Sequence, residues 1–211
     1  MIAAIVILAA ILGAAYGEWL RRVLRVGSYR LASETGPIPS RWWLAPVAAV
    51  AATLLIRHLA DLDRWGLVPA YAALVAISLP LGAIDIDVHR LPDNLMLPAI
   101  AIIAAMLALE WDADRMVRAL TCAALAGAAF LLLALVVPGG MGLGDVKLAV
   151  LLGLPLGWWG YLAAVQGFAF GFVIGGMVSV MLICTRRATR QTHIPLGPAL
   201  LAGALGALLG V

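Results

Sequence analysis

Charged side chains are scarce in this sequence, making up 12% of its 211 residues, while hydrophobic residues make up 64%. That balance excludes an ordinary soluble domain, which could not hide so much apolar surface in one core. Cysteine is scarcer still. Cys122 and Cys184 lie in or at the end of apolar runs, far apart in sequence, and no CxxC pair exists. A cysteine zinc site therefore has no ligands, a disulfide is not expected, and both thiols are expected to be buried and free. The apolar start, Met1 to Tyr16, has no basic region before it and no persuasive cleavage site. A first membrane helix fits such a start better than a cleaved leader. Internal repeats and low-complexity tails are also missing.

What the sequence has instead is long apolar runs. A spanning helix needs roughly 20 mostly apolar residues. Eight segments qualify in whole or in part: Ile2–Leu20, Trp42–Ile56, Gly66–Ile86, Leu95–Leu109, Ala119–Val137, Leu148–Leu156, Trp159–Cys184 and Pro195–Val211. The second, fourth and sixth are short, the sixth most of all. The expected fold is all-α, a polytopic membrane helical bundle of about eight transmembrane segments. It forms one membrane-embedded domain over residues 1–211, with residues 21–41 as a short cytoplasmic loop.

The basic residues fix the orientation. One set of alternate loops holds Arg21, Arg22, Arg25, Arg30, Arg41, Arg90, Lys147, Arg186, Arg187 and Arg190. The other holds Arg57, Arg64, Arg115 and Arg118. The positive-inside rule puts the richer set in the cytoplasm. That parity requires the short sixth segment to cross. Arg21, Arg22 and Arg25 are read as topology signals that touch anionic lipid. Trp42, Trp43, Trp65, Trp111, Trp158 and Trp159 sit at or beside segment ends, where amphipathic rings anchor at the interface. His58 and His193 are read as interfacial.

Charges beside membrane spans are costly and need a reason. Two clusters stand out, both on the side assigned to the cytoplasm from the arginines and lysine. The first runs Ala83-Ile84-Asp85-Ile86-Asp87-Val88-His89-Arg90-Leu91-Pro92-Asp93-Asn94, at the end of the third span. The second is Gly139-Gly140-Met141-Gly142-Leu143-Gly144-Asp145-Val146-Lys147, between the fifth and sixth. Asp85 ends an apolar run and should sit near the hydrocarbon boundary. Gly142 and Gly144 would let an irregular segment carry Asp145 against a partner helix or a substrate backbone. Two carboxylates brought together in a low dielectric cannot both ionise cheaply, so the pair holds one proton between them. One member can then take a proton from water while the other polarises a carbonyl. The remaining residues have plainer readings. Asp87 is read as a solvated loop charge, with tuning of the pair or substrate contact as the alternative. Asp93 or Asn94 is expected to cap the fourth span. Lys147 either biases Asp145 or snorkels to the interface. Asp85, Asp87, His89 and Asp93 are spaced too loosely to read as metal ligands.

These residues resemble the prepilin peptidases. Asp85 followed by Leu91-Pro92-Asp93 is similar to that family's aspartate at a span end with a Pro-Asp turn. Gly142-Leu143-Gly144-Asp145-Val146-Lys147 resembles its GxGD motif, shared in short form with presenilin-type proteases. Ile194-Pro195-Leu196-Gly197-Pro198 is similar to its Pro-Phe-Gly-Pro element, with Leu196 in the Phe place. A GxGD alone is unspecific; the three motifs in order, over about Gly66 to Val211, carry the resemblance. It implies a membrane aspartyl endopeptidase with Asp85 and Asp145 as the catalytic pair. It also implies cleavage after a glycine, removing the basic leader of a type IV prepilin or pseudopilin precursor, in a type IV pilus or secretion system of the bacterial inner membrane. Asp87 and Asp93 would greet the basic leader, and Gly142, Gly144 and Lys147 would support the site. Membrane lipid is the other partner, and nucleic acid is not one.

Many members also methylate the new N-terminus and carry a cytoplasmic domain with paired CxxC zinc motifs. The 21–41 loop stands in place of that domain and lacks cysteine. No cofactor or metal is therefore expected, and S-adenosylmethionine enters only if methyl transfer is retained. Two other functions use membrane carboxylates or none. A proton-coupled transporter would place its carboxylates near the midplane and not at one face. A noncatalytic assembly scaffold would tolerate loss of both aspartates.

Overall fold

The computed structural model describes residues 2–34, 36–136, 141–186 and 195–210. Among these the chain forms eight α-helices: α1 (Ile2–Leu24), α2 (Leu44–Asp61), α3 (Val68–Val88), α4 (Asp93–Ala108), α5 (Ala113–Val136), α6 (Leu143–Trp159), α7 (Tyr161–Cys184) and α8 (Gly197–Leu208). A short 3-10 turn, Trp65–Leu67, leads into α3. No strand occurs among the described residues.

Five helices are long and apolar enough to cross a membrane: α1, α2, α3 with its leading turn, α5 and α7. The chain is a multi-pass membrane protein. The other three are shorter. At a rise of about 1.5 Å per residue, α4 and α6 reach about 25 Å and α8 about 18 Å, against a hydrocarbon core of about 30 Å.

The sixth segment is longer than its apolar run suggests. It begins at Leu143, inside the glycine-rich motif, and ends at Trp159. It runs antiparallel to α5, and Arg118 near the start of α5 donates to the Gly157 and Trp158 carbonyls at the end of α6, at 3.0 and 2.7 Å. At its other end Lys147 meets Asp93, the first residue of α4, at 2.6 Å. This helix therefore contacts the start of α5 at one end and the start of α4 at the other.

Helices α3 and α6 are the inner pair. Most of α3 is enclosed, and the buried side of α6 runs without a break from Leu151 to Trp158. Both are apolar on every side, as helices surrounded by protein are. Helices α4 and α8 pack against both of them. The buried Tyr71 hydroxyl on α3 donates to the Pro155 carbonyl on α6 at 2.8 Å, tying the pair at the end away from the aspartates. Outside this core, α1 and α2 form a tight hairpin that meets the body along α3. A cavity of about 310 Å³, lined by α1, α2 and α3, separates hairpin from body.

Three expectations need correction. Trp158 is a core residue, 1% exposed, because α6 is internal along its last turn; Trp42 and Trp111 remain exposed as membrane anchors would be. Cys184 is exposed at the end of α7, and only Cys122 is buried. Asp93 does not cap α4. Pro92 holds the cap position, no side chain caps that helix, and Asp93 is its first residue. His193, Arg187, Arg190 and Gly139-Gly140 lie outside the described residues.

Candidate active site

Asp85 lies in the last turn of α3, 5% exposed, with its backbone carbonyl accepting the His89 N–H at 2.9 Å. His89 takes the left-handed conformation, φ 51°, and ends the helix there. Pro92 then sits in extended conformation, and α4 restarts at Asp93. The charged stretch after the third span is thus a tight helix–helix connection with Asp85 at its inner edge.

Asp145 sits in the first turn of α6, partly buried. Its carboxylate accepts the Gly142 N–H at 3.4 Å, so it caps its own helix. The motif is therefore helical from Leu143 and not an irregular segment. Gly144 packs where a Cβ would come within 3.1 Å of the Leu91 Cβ, which lets the start of α6 close onto the α3–α4 connection. Gly142 stands in open surroundings, and its part is its N–H. Asp85 and Asp145, sixty residues apart in sequence, are brought to the same end of the bundle, where Gly144 packs on Leu91 and Lys147 pairs with Asp93.

A third element completes the surroundings of Asp85. The Gly197 N–H, at the start of α8, donates to Asp85 Oδ2 at 3.1 Å. A Cβ on Gly197 would lie 2.6 Å from that oxygen, so only glycine leaves room for the carboxylate. The Pro195-Leu196-Gly197-Pro198 motif flagged this place in sequence, but nothing in the residues themselves said which partner it meets.

The structure gives Asp87 a different role from a solvated loop charge. It is still in α3, and its side chain is 5% exposed. Arg30 grips it with two nitrogens, Nη2 at 2.6 Å and Nε at 2.9 Å, and Arg41 Nη2 adds a third contact at 3.0 Å. The Tyr29 hydroxyl also donates to it. Asp93 is likewise engaged, by Lys147 at 2.6 Å. Lys147 turns to Asp93, resolving its two readings in favour of neither. Both acids read as greeting a basic leader are thus already paired within the chain. Tyr29, Arg30 and Arg41 carried no site signal in sequence beyond their place in the basic loop.

The geometry joins an aspartate at a span end, a GxGD aspartate and a Gly-Pro helix start at one end of one core. Comparison with known proteins agrees. A model of the type IV leader peptidase family matches residues 72–183, which holds both aspartates. The chain belongs to the type IV leader peptidase family. It is similar to the prepilin leader peptidase/N-methyltransferase of Burkholderia pseudomallei strain 1026b, 33% identical over 178 residues, covering 82% of this chain and 55% of the relative. The protein of the same description from strain K96243 matches to the same extent. The chain thus spans about half the length of the curated relatives it matches. No solved structure matches it.

Proposed function

We propose that this chain is a membrane aspartyl endopeptidase. It removes the leader of type IV prepilin-like or pseudopilin precursors at the cytoplasmic face of the bacterial inner membrane. The observation that supports this reading is that the start of α6, which carries Asp145, packs against the α3–α4 connection that follows Asp85, so aspartates from two separate motifs share one end of the inner helices. Family membership supports the leader-cleaving activity.

In the proposed reaction the two aspartates share one proton. The ionised carboxylate takes a proton from an attacking water, and the protonated one polarises the scissile carbonyl. Asp145 is the more exposed of the two, so the peptide and water reach the pair from its side. The Gly197 N–H holds one oxygen of Asp85 and leaves the other for the reaction. Gly144 keeps the start of α6 close, and the Lys147–Asp93 pair ties it to α4. The substrate is a single-span precursor whose short basic leader ends beside the membrane surface. No cofactor or metal takes part in peptide cleavage, and S-adenosylmethionine serves only if the chain also methylates the new N-terminus.

The test is co-expression with a prepilin, scoring leader removal by gel shift and mass spectrometry for the wild type, Asp85→Asn and Asp145→Asn. Asparagine nearly preserves shape and removes the ionisable proton. Cleavage by the wild type and by neither variant is the expected result, and the mature mass reports any added methyl group. Cleavage persisting in both well-expressed variants would sink the aspartyl mechanism.

A further inference from the structure

The described residues of the connection between α1 and α2, 25–34 and 36–43, form no regular helix and bury little apolar surface of their own. The connection is nonetheless bound down by a dense polar network, part of it within the loop and part of it reaching Asp87 in the last turn of α3. Arg41 is 3% exposed, unusual for arginine. It donates to the Leu24 carbonyl at the end of α1 (3.4 Å), to the Tyr29 hydroxyl and to Asp87 (3.0 Å), with its guanidinium 5.2 Å above the Tyr29 ring. Arg30 spans from Asp87 to the Gly36 and Pro37 carbonyls at 2.8 and 3.3 Å. Arg90, just beyond α3, donates to the Tyr29 carbonyl at 2.9 Å and pairs with Glu34 at 3.3 Å.

Asp87 is the hub of this network, two residues past Asp85. At about 100° per residue, the two carboxylates leave the helix about 200° apart, on nearly opposite sides of one turn. One side of the turn faces Gly197, and the other faces the loop. A helix end is the part of a helix most prone to fray, and this one stops at His89, immediately after both aspartates. Any rotation of the turn that released the loop would also swing the Asp85 carboxylate away from the Gly197 N–H.

We infer that Asp87 is a positioning residue: by binding Arg30 and Arg41 it braces the 25–43 loop against the last turn of α3 and so fixes Asp85 in its working orientation. The inference rests on the reading of Asp85 as catalytic. The buried Arg41 and the partly buried Arg30 converge on one carboxylate, so neutralising that carboxylate leaves both without a counter-charge and releases the loop. The effect on chemistry is one of orientation and falls on turnover, not on substrate affinity.

The test uses the purified full chain in detergent with a synthetic single-span prepilin, comparing wild type, Asp87→Asn, Asp87→Glu and Arg30→Gln. Two readouts are taken, kcat and KM for leader removal, and tryptic cleavage after Arg41, which is covered in the wild type. Asp87→Asn and Arg30→Gln are expected to lower kcat by about 10- to 100-fold with KM unchanged. Both are expected to admit trypsin at Arg41. Asp87→Glu, which keeps the charge, is expected to restore most of the turnover and the protection. Wild-type kcat in Asp87→Asn with the loop open overturns the coupling, and a loop that stays protected overturns the brace. If Asp87→Asn fails to fold, Arg30→Gln decides on the same two readouts, since it removes only one arm of the clamp. A wild type that cleaves nothing overturns the peptidase reading and this inference with it. A wild type that cleaves beside an equally active Asp87→Asn overturns the inference alone.

Discussion

A single methyl group on Gly197 should disable the site while leaving the bundle intact. In Gly197→Ala the new Cβ would sit 2.6 Å from Asp85 Oδ2, where ordinary contact begins at 3.4 Å. Carboxylate and helix must therefore separate by about 0.8 Å, enough to lengthen the 3.1 Å bond beyond hydrogen-bonding range. A hydrogen bond to a charged group contributes about 1.5–3 kcal/mol, which corresponds to about 10- to 150-fold in rate if all of it is lost from the transition state. Backbone conformation does not confuse the result. Gly197 has no left-handed φ, and alanine within a helix is favoured over glycine by about 0.5–1 kcal/mol. The natural control is Gly206→Ala on the same helix, where a Cβ meets nothing within 4 Å. Leader cleavage is followed for both variants beside the wild type, with thermal melting in detergent to confirm folding. Gly197→Ala is expected to lose most of its activity with a near-normal melt, and Gly206→Ala to behave as wild type. Full activity in Gly197→Ala would refute the role given to its N–H. Equal losses in both would trace the defect to α8 itself, not to the contact with Asp85.

Two further outcomes test the surrounding structure. A Cβ on Gly203 would approach the Gly171 nitrogen to 2.2 Å and the Gly167 carbonyl oxygen to 2.6 Å, both backbone atoms that cannot rotate aside. Gly203→Ala should therefore force α7 and α8 apart and destabilise by about 1–3 kcal/mol, read as a lower melting temperature; an unchanged melt would mean that the two helices slide freely. The Leu31 N–H, with Arg90 beside it, holds the Glu34 carboxyl below its ordinary value of 4.5. The folded loop thus binds fewer protons there than the unfolded loop, so this contribution is whole above about pH 4.5 and fades as pH falls further. Hydrogen exchange of the 25–41 amides, corrected for intrinsic rate, should show less acid loss of protection in Glu34→Gln than in wild type; identical profiles would remove Glu34 from the account.

Much of the architecture was legible because apolar run length and arginine placement are chain-wide signals. The eight helices follow from the run lengths, and the arginine and lysine placement puts both aspartates at one end. The failures have a common cause: sequence shows which residue types are present, but not what lies across from them. Asp87 looked like a solvated charge, and Lys147 like a neighbour of Asp145 or a snorkelling residue, because their partners, Arg30, Arg41 and Asp93, are distant in sequence. The sixth segment looked truncated because Asp145 and Lys147 interrupt its hydropathy, yet a glycine cap and an acidic residue in the first turn suit a helix start, and α6 starts there. Trp158 looked interfacial because position along a span says nothing about which side faces protein. The Gly197 contact was beyond reach for the same reason: a motif marks a place, and only the fold supplies the neighbour.

The bond between Asp85 and Gly197 also sets a clock. The two residues are 112 positions apart. At about 5–20 residues per second, a ribosome needs about 6–20 s to pass from one to the other. Through that interval the emerging chain holds Asp85 in the membrane without the donor that orients it. The orientation of Asp85 therefore waits until α8, about 18 Å long, has followed α7 and packed beside it.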